Sequence, residues 1–392
     1  MVDATLRTQI LPDGVQHEFA PGYHAGCTRM LAEMGALAQR VGADVPASFR
    51  ETLDKMATYV LAMVTPEFSN PMFGDTRRPE GGRTYGELLV MLGGILNRPE
   101  FSAVAERRHA GLPPLNWCFP HGGMYFFRSG WGPDDIYMAL HCCPPSAGGK
   151  KGGHDQPDNG TFELCAFGRW LMPDSGCFVY HESTAPLDRD WFRQTAVHQT
   201  LTLDNANSVN APRHLFWWDT PELAVVRFEN QSYPDLCHRR TVFFVQRRFF
   251  VIVDEALGDA RGDLDLHVQL APGPAQIDAG SKTARTEFAD GGNVLVWTPA
   301  VQAARMEEEA GYTSSRYGHY EPRPAFRLRL ADGPPAALLS VIVPYRGAKP
   351  PRVVAALEPG FVPGADSLAV RCEVDNAAVV VGCDGRRAWL ES

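Results

Sequence analysis

Residues 239–258 read RRTVFFVQRRFFVIVDEALG. The two apolar runs inside this stretch, 241–245 and 249–254, are rich in Val and Phe and too short to be helices. Each therefore reads as a β-strand bounded by polar residues. The same texture extends in both directions. Short apolar or alternating runs recur at 123–128, 136–141, 162–167, 200–204 and 224–229, then at 264–270, 293–297, 326–330, 338–344 and 368–373. Strands this numerous and this closely spaced imply a large antiparallel β-sandwich.

The N-terminal hundred residues have a different period. In residues 24–41 apolar side chains recur at three- and four-residue steps: Cys27, Met30, Leu31, Met34, Leu37, Ala38 and Val41. Residues 49–64 repeat the pattern with Leu53, Met56, Ala57, Val60, Leu61 and Val64. Gly42 stands where a helix end favours a left-handed residue, and Pro46 and Ser48 suit the start of the next helix. A third helix is expected over 85–96. Two or three antiparallel helices are few for an independent domain, so they read as part of a larger helical array. A connection containing Gly111, Pro113, Pro114 and Pro120 follows. The expected fold class is thus α+β: a helical region over residues 1–108, then a β-sandwich over 109–392. No internal repeat or low-complexity tail interrupts it.

Composition removes several functions. Lys and Arg total 37 against 46 Asp and Glu, a net charge of -9. That balance argues against nucleic acid as a partner, because such binding rests on neutralising phosphates. It leaves room for an acidic glycan held in a local basic cleft. No stretch approaches the ~20 apolar residues of a membrane span, and residues 1–14 lack the pattern of a signal peptide. The nine cysteines include no C-x-x-C pair, so they read as buried free thiols, with adjacent Cys142 and Cys143 as a redox-sensitive alternative. Esterase, zinc-protease and NTPase motifs are missing as well.

Three polar constellations remain. Residues 148–180, GGKKGGHDQPDNGTFELCAFGRWLMPDSGCFVY, place His154, Gln156, Asp158 and Asn159 just before a strand, with Asp174 in the next turn. A loop–strand junction is where a rigid sheet presents polar groups to a ligand; the plainer reading is a loop whose Asp and Asn cap turns. Residues 189–205, RDWFRQTAVHQTLTLDN, bring Arg189, Arg193 and His198 to the start of a strand. Arginine suits carboxylate or sulfate because its planar fork bonds them bidentately, although a surface arginine and a strand-end histidine explain the same letters. Residues 10–24, ILPDGVQHEFAPGYH, end on Tyr23 and His24 at a helix start, where a tyrosine also serves as a half-buried anchor.

Taken in order, these three segments resemble the heparinase II/III superfamily of polysaccharide lyases, and HDQPDNGTFEL resembles its heparinase III branch, which acts on heparan sulfate. The resemblance also covers FPHGGMYFFRSGWGPDD and the stretch at 239–258. It implies that residues 1–108 form part of an incomplete α/α toroid packed on the sandwich, with an acidic polysaccharide bound between them. The implied reaction is β-elimination: the C5 proton of a uronate is removed and the C4 oxygen expelled. Such chemistry needs a neutralised carboxylate, a base and an acid. By resemblance Tyr23 is base, acid or both and His154 its partner across the seam, with His24, Gln156, Asn159, Arg189 and Arg193 as substrate-binding residues. A same-scaffold lyase for alginate or hyaluronan, and a non-catalytic glycan-binding protein, are the alternatives.

No cofactor is implied beyond a structural divalent ion. Relatives with H-x-H hold one through the second His, a downstream Asp and a later His; the matching positions here are Gln156, Asp174 and His198. Gln at the first position departs from zinc's nitrogen-rich preference. Oxygen donors suit calcium better, His198 does not, and a metal-free hydrogen-bonded cluster fits equally. The family also places a neutralising residue on a toroid helix upstream of the tyrosine, whereas this chain begins shortly before Tyr23. A half-built cleft with weak activity is therefore expected unless Arg193, Asn159 or Gln156 substitutes. A periplasmic or secreted location is expected if an export signal precedes this sequence; the oligomeric state is not encoded in any motif.

Overall fold

A computed structural model describes residues 2–79, 85–146, 153–180, 186–299 and 304–392. The glycine- and lysine-rich stretch 148–152 lies outside the described residues. The helices come first: α1 (Val2–Gln9), α2 (Pro21–Arg40), α3 (Ala47–Met63), α4 (Tyr85–Leu96) and α5 (Pro99–Ala105). Pro21 begins α2, where a missing N–H does no harm. Gly42 follows it with φ +72°, the left-handed stop expected from the sequence. Helix α3 buries Leu53, Met56, Ala57, Val60 and Leu61, as its period predicts.

Helix α2 differs from expectation in which face it buries. Its inward stripe is His24, Ala25, Thr28, Leu31, Ala32 and Gly35. Met30, Met34, Leu37 and Val41, read from the sequence as part of the apolar face, are exposed. Small residues at 25, 28, 32 and 35 let α2 approach its neighbours closely, with the Phe49 ring 3.1 Å from where a Cβ on Gly35 would lie. Periodicity alone did not distinguish this stripe from the bulkier one beside it.

The remainder is antiparallel sheet. A five-stranded sheet runs in sequence order: β1 (Trp117–Phe119), β2 (Met124–Arg128), β3 (Tyr137–His141), β4 (Phe162–Ala166) and β5 (Arg169–Met172). Behind it lies an eight-stranded sheet whose centre is Leu223–Tyr233, Leu236–Val245, Phe249–Gly258 and Ala336–Arg346. The stretch at 239–258 supplies two of these strands, paired Phe249 to Val245 across their turn. Two four-stranded sheets complete the fold.

Side-chain alternation assigns the layers. On β2, Met124 and Phe126 face the helices, while Tyr125 and Phe127 join Val226, Phe228 and Phe250 between the sheets. On Leu223–Tyr233, Val225 points the other way, to a third core with Val370 and Val381. The order is helices, five-stranded sheet, eight-stranded sheet, C-terminal sheet. The helical layer is fastened to β2 and β3 by two buried polar groups. Arg128 donates from Nη2 to the Ala62 carbonyl at 2.7 Å and also to that of Val64; the Tyr137 hydroxyl donates to the Met63 carbonyl at 2.7 Å. These carbonyls end α3 and have no intrahelical partner, so sheet side chains cap the helix. That docking sets the seam where the candidate site lies.

Candidate active site at the helix–sheet seam

Tyr23 lies in the first turn of α2 and is 37% exposed. Its helix start is held from both sides. The Gly22 N–H donates to Thr76 Oγ1 at 3.3 Å, and the preceding Pro-Asp-Gly turn uses Asp13 to accept the His121 and Gly122 N–H groups at 2.8 and 2.9 Å. From the sheet side the loop before β4 brings His154. The two rings stack with centroids 3.9 Å apart and planes at 15°. The Tyr180 hydroxyl donates to the Asp75 carbonyl at 3.2 Å. That leaves its oxygen to accept from Tyr23 at 2.8 Å.

The hub of this arrangement is Asp75, a residue that sequence reading missed. Its carboxylate is buried and accepts from His154 Nδ1 at 3.1 Å, from Arg189 Nη2, and from Gln156 Nε2 at 3.4 Å. Nδ1–H donation assigns the tautomer and leaves His154 Nε2 turned toward the cleft, 3.9 Å from Glu18 Oε2. The approach is possible because residue 74 is glycine. With φ +61° there, a Cβ would stand 2.4 Å from the His154 carbonyl oxygen, which instead accepts the Asp75 N–H at 2.8 Å.

Of the residues expected from the sequence, Tyr23, His154 and Arg189 meet in the cleft, with Gln156 behind Asp75. Three others are placed elsewhere. His24 is buried; its Nε2 donates to the Met56 carbonyl at 3.0 Å and its Nδ1 accepts the Gln16 N–H at 3.2 Å. Burial pushes it down to about 4, against the Met56 bond that favours the charged form. It is a neutral core histidine with no ring nitrogen left for a ligand. Asn159 is buried and engaged with both backbone groups of Cys143 and with Asn230. Arg193 donates to the Asp155 carbonyl at 2.9 Å, bracing the loop that carries His154.

A second polar cluster lies in the sheet layer. Asp158, Asp174 and His198 are buried with ligand atoms within 4.8 Å of one another. The structure thus adds a carboxylate, Asp158, to the expected Asp174 and His198, while the amide nitrogen of Gln156 turns to Asp75. His198 Nδ1 pairs with Asp174 at 2.8 Å. Burial alone would lower His198, but Asp174 holds it above its ordinary value. Burial opposes ionisation of Asp174 too, yet His198, the Gly176 N–H and Arg323 keep it below the usual carboxylate range. Burial raises Asp158. Among the described residues, no protein group bonds to His198 Nε2, to either Asp158 oxygen or to Gln156 Oε1. One imidazole nitrogen and oxygens without hydrogen bonds, with His141 Nε2 standing 3.7 Å from Asp158 Oδ1, fit a divalent cation such as calcium or zinc.

Fold and site together define a helix layer docked on antiparallel sheets, with a tyrosine–histidine pair where they meet. The comparisons with known proteins give that class its family. The Heparinase II/III-like, C-terminal family matches residues 112–356 and the Heparinase II/III N-terminus family residues 1–88. The chain belongs to the heparinase II/III family. It is 31% identical over 362 residues to a heparin-sulfate lyase of Pedobacter heparinus, covering 90% of this chain and 54% of that protein. A heparin-sulfate lyase of Bacteroides stercoris is 32% identical over 326 residues, covering 81% and 48%. The crystal structure of heparan sulfate lyase HepC from Pedobacter heparinus superposes with a TM-score of 0.91 at 28% identity, over 98% of this chain and 61% of that one. The crystal structure of heparinase III gives 0.87 at 27% identity, over 97% and 62%. The chain spans about half the length of the two heparin-sulfate lyases.

Proposed function

We propose that the chain is a polysaccharide lyase that cuts heparan sulfate by β-elimination at the Tyr23–His154 pair. The carrying observation is the stacking of these rings at the seam, with the Tyr23 hydroxyl tied to Tyr180. The C5–H bond of the uronate breaks toward the Tyr23 oxygen, the electron pair forms the C4–C5 double bond, and the C4–O bond breaks as the leaving oxygen takes a proton. Tyr23 serves as base and, once protonated, as the acid. His154, fixed by Asp75, offers Nε2 to the same space. Arg77, whose guanidinium group lies 5.3 Å from the Tyr180 ring, supplies positive charge that offsets the uronate, while Arg189, at the same distance from that ring, is paired with Asp75. In the second cluster, Asp158, Asp174 and His198 would hold a divalent ion, whose charge would fix the loop between His154 and β4.

The test is ultraviolet absorbance of unsaturated uronate ends, measured with heparan sulfate, hyaluronan and alginate. Product from heparan sulfate supports the reading. Product from another polymer alone changes the substrate, and glycan binding with no product makes the protein a binder.

A further inference from the structure

The Asp158–Asp174–His198 cluster draws on three separate pieces of chain: the loop before β4, the turn after β5 and the segment before the strand Leu201–Leu203. Each of the three residues lies outside a strand, yet their side chains converge within 4.8 Å. Two buried arginines reach this junction from different sheets. They grip the backbone beside each ligand and leave the ligand side chains free.

Arg240 comes from Leu236–Val245 of the eight-stranded sheet. Its Nε donates to Asp254 at 2.6 Å, which aims the planar fork. Its Nη1 donates to the Gly160 carbonyl and, at 2.7 Å, to that of Gln199. Gly160 lies two residues after Asp158, and Gln199 directly follows His198. This approach needs glycine at 160: with φ +98°, a Cβ would stand 2.7 Å from Thr200 Oγ1 and 3.1 Å from the His238 ring. Arg323 comes from His319–Leu330 of a four-stranded sheet. It donates from Nη1 to the Pro173 carbonyl, and from Nη2 to Ser175 Oγ at 2.6 Å and the Val197 carbonyl at 3.1 Å. Pro173 and Ser175 flank Asp174, and Val197 precedes His198. Each guanidinium therefore spans two of the three pieces, and the residues on either side of His198 are held by different arginines. Arg323 is 5% exposed, and among the described residues no carboxylate forms a salt bridge with it. A guanidinium buried without an ion pair is costly to a fold, and its bonds here go to the flanks of the ion-ligand residues.

We propose that Arg240 and Arg323 are positioning residues that hold Asp158, Asp174 and His198 at ligand spacing before an ion arrives, so that the site selects its ion by size. This rests on reading the cluster as an ion site and is independent of the lyase reaction. Groups that orient a metal's ligands are worth roughly ten- to a hundredfold in affinity. The measurement is calorimetric titration of chelator-stripped protein with calcium and with zinc, well below the melting transition. Arg240→Lys and Arg323→Lys keep the charge, but an ammonium cannot span two pieces of chain as the planar fork does. Each should bind the preferred ion roughly ten- to a hundredfold more weakly. The ratio of calcium to zinc affinity should also move toward one, because a loosened cage fits either ion. A merely structural role would lower the melting temperature and leave both constants unchanged. Asp158→Asn, which removes a ligand, should bind neither ion; Arg371→Ala, remote and paired with Glu358, should bind as wild type. Ser175→Ala removes one Arg323 acceptor without touching a ligand or a charge. It should weaken binding by about threefold or more, and it decides the matter if the lysine variants do not fold. Wild-type or tighter binding in the folded lysine variants, or wild-type binding in Ser175→Ala where they do not fold, overturns the positioning role. The ion site then still stands if Asp158→Asn has lost both ions. If wild type takes up neither ion, the ion reading and this proposal fall together while the lyase reading stands.

Discussion

The ring of His154 lies flat on that of Tyr23, centroids 3.9 Å apart, although one residue belongs to a helix and the other to a loop of the sheet layer. Neither layer holds this contact alone. It depends on the buried seam made by Arg128 and Tyr137 at the end of α3, and on Thr76 and Asp75, which hold α2 and His154 from the same short segment. The pair is preorganised before a ligand arrives, as catalysis by positioned proton-transfer groups requires.

On the proposed mechanism, removing the Tyr23 hydroxyl or the His154 imidazole should lower kcat on heparan sulfate by roughly 10²–10⁴-fold. Tyr23→Phe keeps the ring stack and loses only the hydroxyl, so melting temperature stays near wild type while unsaturated product disappears. His154→Ala loses product and also unstacks Tyr23. Full activity in Tyr23→Phe would exclude the mechanism while leaving the lyase class intact.

Asp75→Asn should act through His154. The amide can still accept from Nδ1–H but carries no charge for Arg189, and its own N–H groups face donors. A displaced imidazole lowers kcat by roughly a hundredfold, with KM changed far less, and the broken buried hub costs roughly 1–3 kcal/mol in urea denaturation. Wild-type kcat in this variant would show that His154 needs no positioning.

Tyr23 and His154 were legible because each stands in a contiguous motif, and α4 was placed over its observed residues, Tyr85–Leu96, from periodicity. Asp75 was not. It follows Gly74 in a coil rich in Pro and Gly, where an aspartate reads as a turn former, and its partner lies far along the chain. Tyr180 ends an apolar run and reads as core. Charge hid the strand Arg305–Arg316, whose outward side chains include Glu307 and Glu309 paired to Arg327 and His267. His24 shows the opposite failure: it was expected to bind substrate beside Tyr23, but on a helix the next residue faces another side.

His24 also gives a pH signature. Its folded value of about 4 lies below the 6.5 of the free side chain. Between these values the unfolded chain binds more protons, so stability falls as pH drops from 6.5 toward 4, by roughly 3 kcal/mol from this residue. Glu163, which burial pushes up to about 7 despite Arg78, acts in the opposite sense across pH 4.5–7. The comparison is therefore wild type against His24→Gln in urea at pH 7, 5.5 and 4.5. The difference between them should shrink by that amount as pH falls; a constant difference would mean that His24 does not titrate as a buried neutral group.

The buried donors at Asp158, Asp174 and His198 predict ion-dependent stability. Protein stripped by a chelator should gain roughly 3 kcal/mol when calcium or zinc is restored at a hundredfold excess over Kd, and Asp158→Asn should lose that gain. Whichever ion gives the gain identifies the occupant. No gain with either leaves a hydrogen-bonded cluster of protein groups alone.

Gly74→Ala tests whether the backbone approach under His154 matters. The position has φ +61°, and the new Cβ would lie 2.4 Å from the His154 carbonyl oxygen, so the Asp75 N–H bond to that oxygen must stretch. Strain and the lost bond together should cost roughly 2–4 kcal/mol, and kcat should fall because Asp75 and His154 separate. Gly42→Ala is the matched control: its φ is +72° but a Cβ there meets nothing within 4 Å. It should carry the left-handed penalty of roughly 1 kcal/mol and leave kcat unchanged. Equal kcat in the two variants would mean that the close approach at Gly74 serves folding and not the alignment of His154.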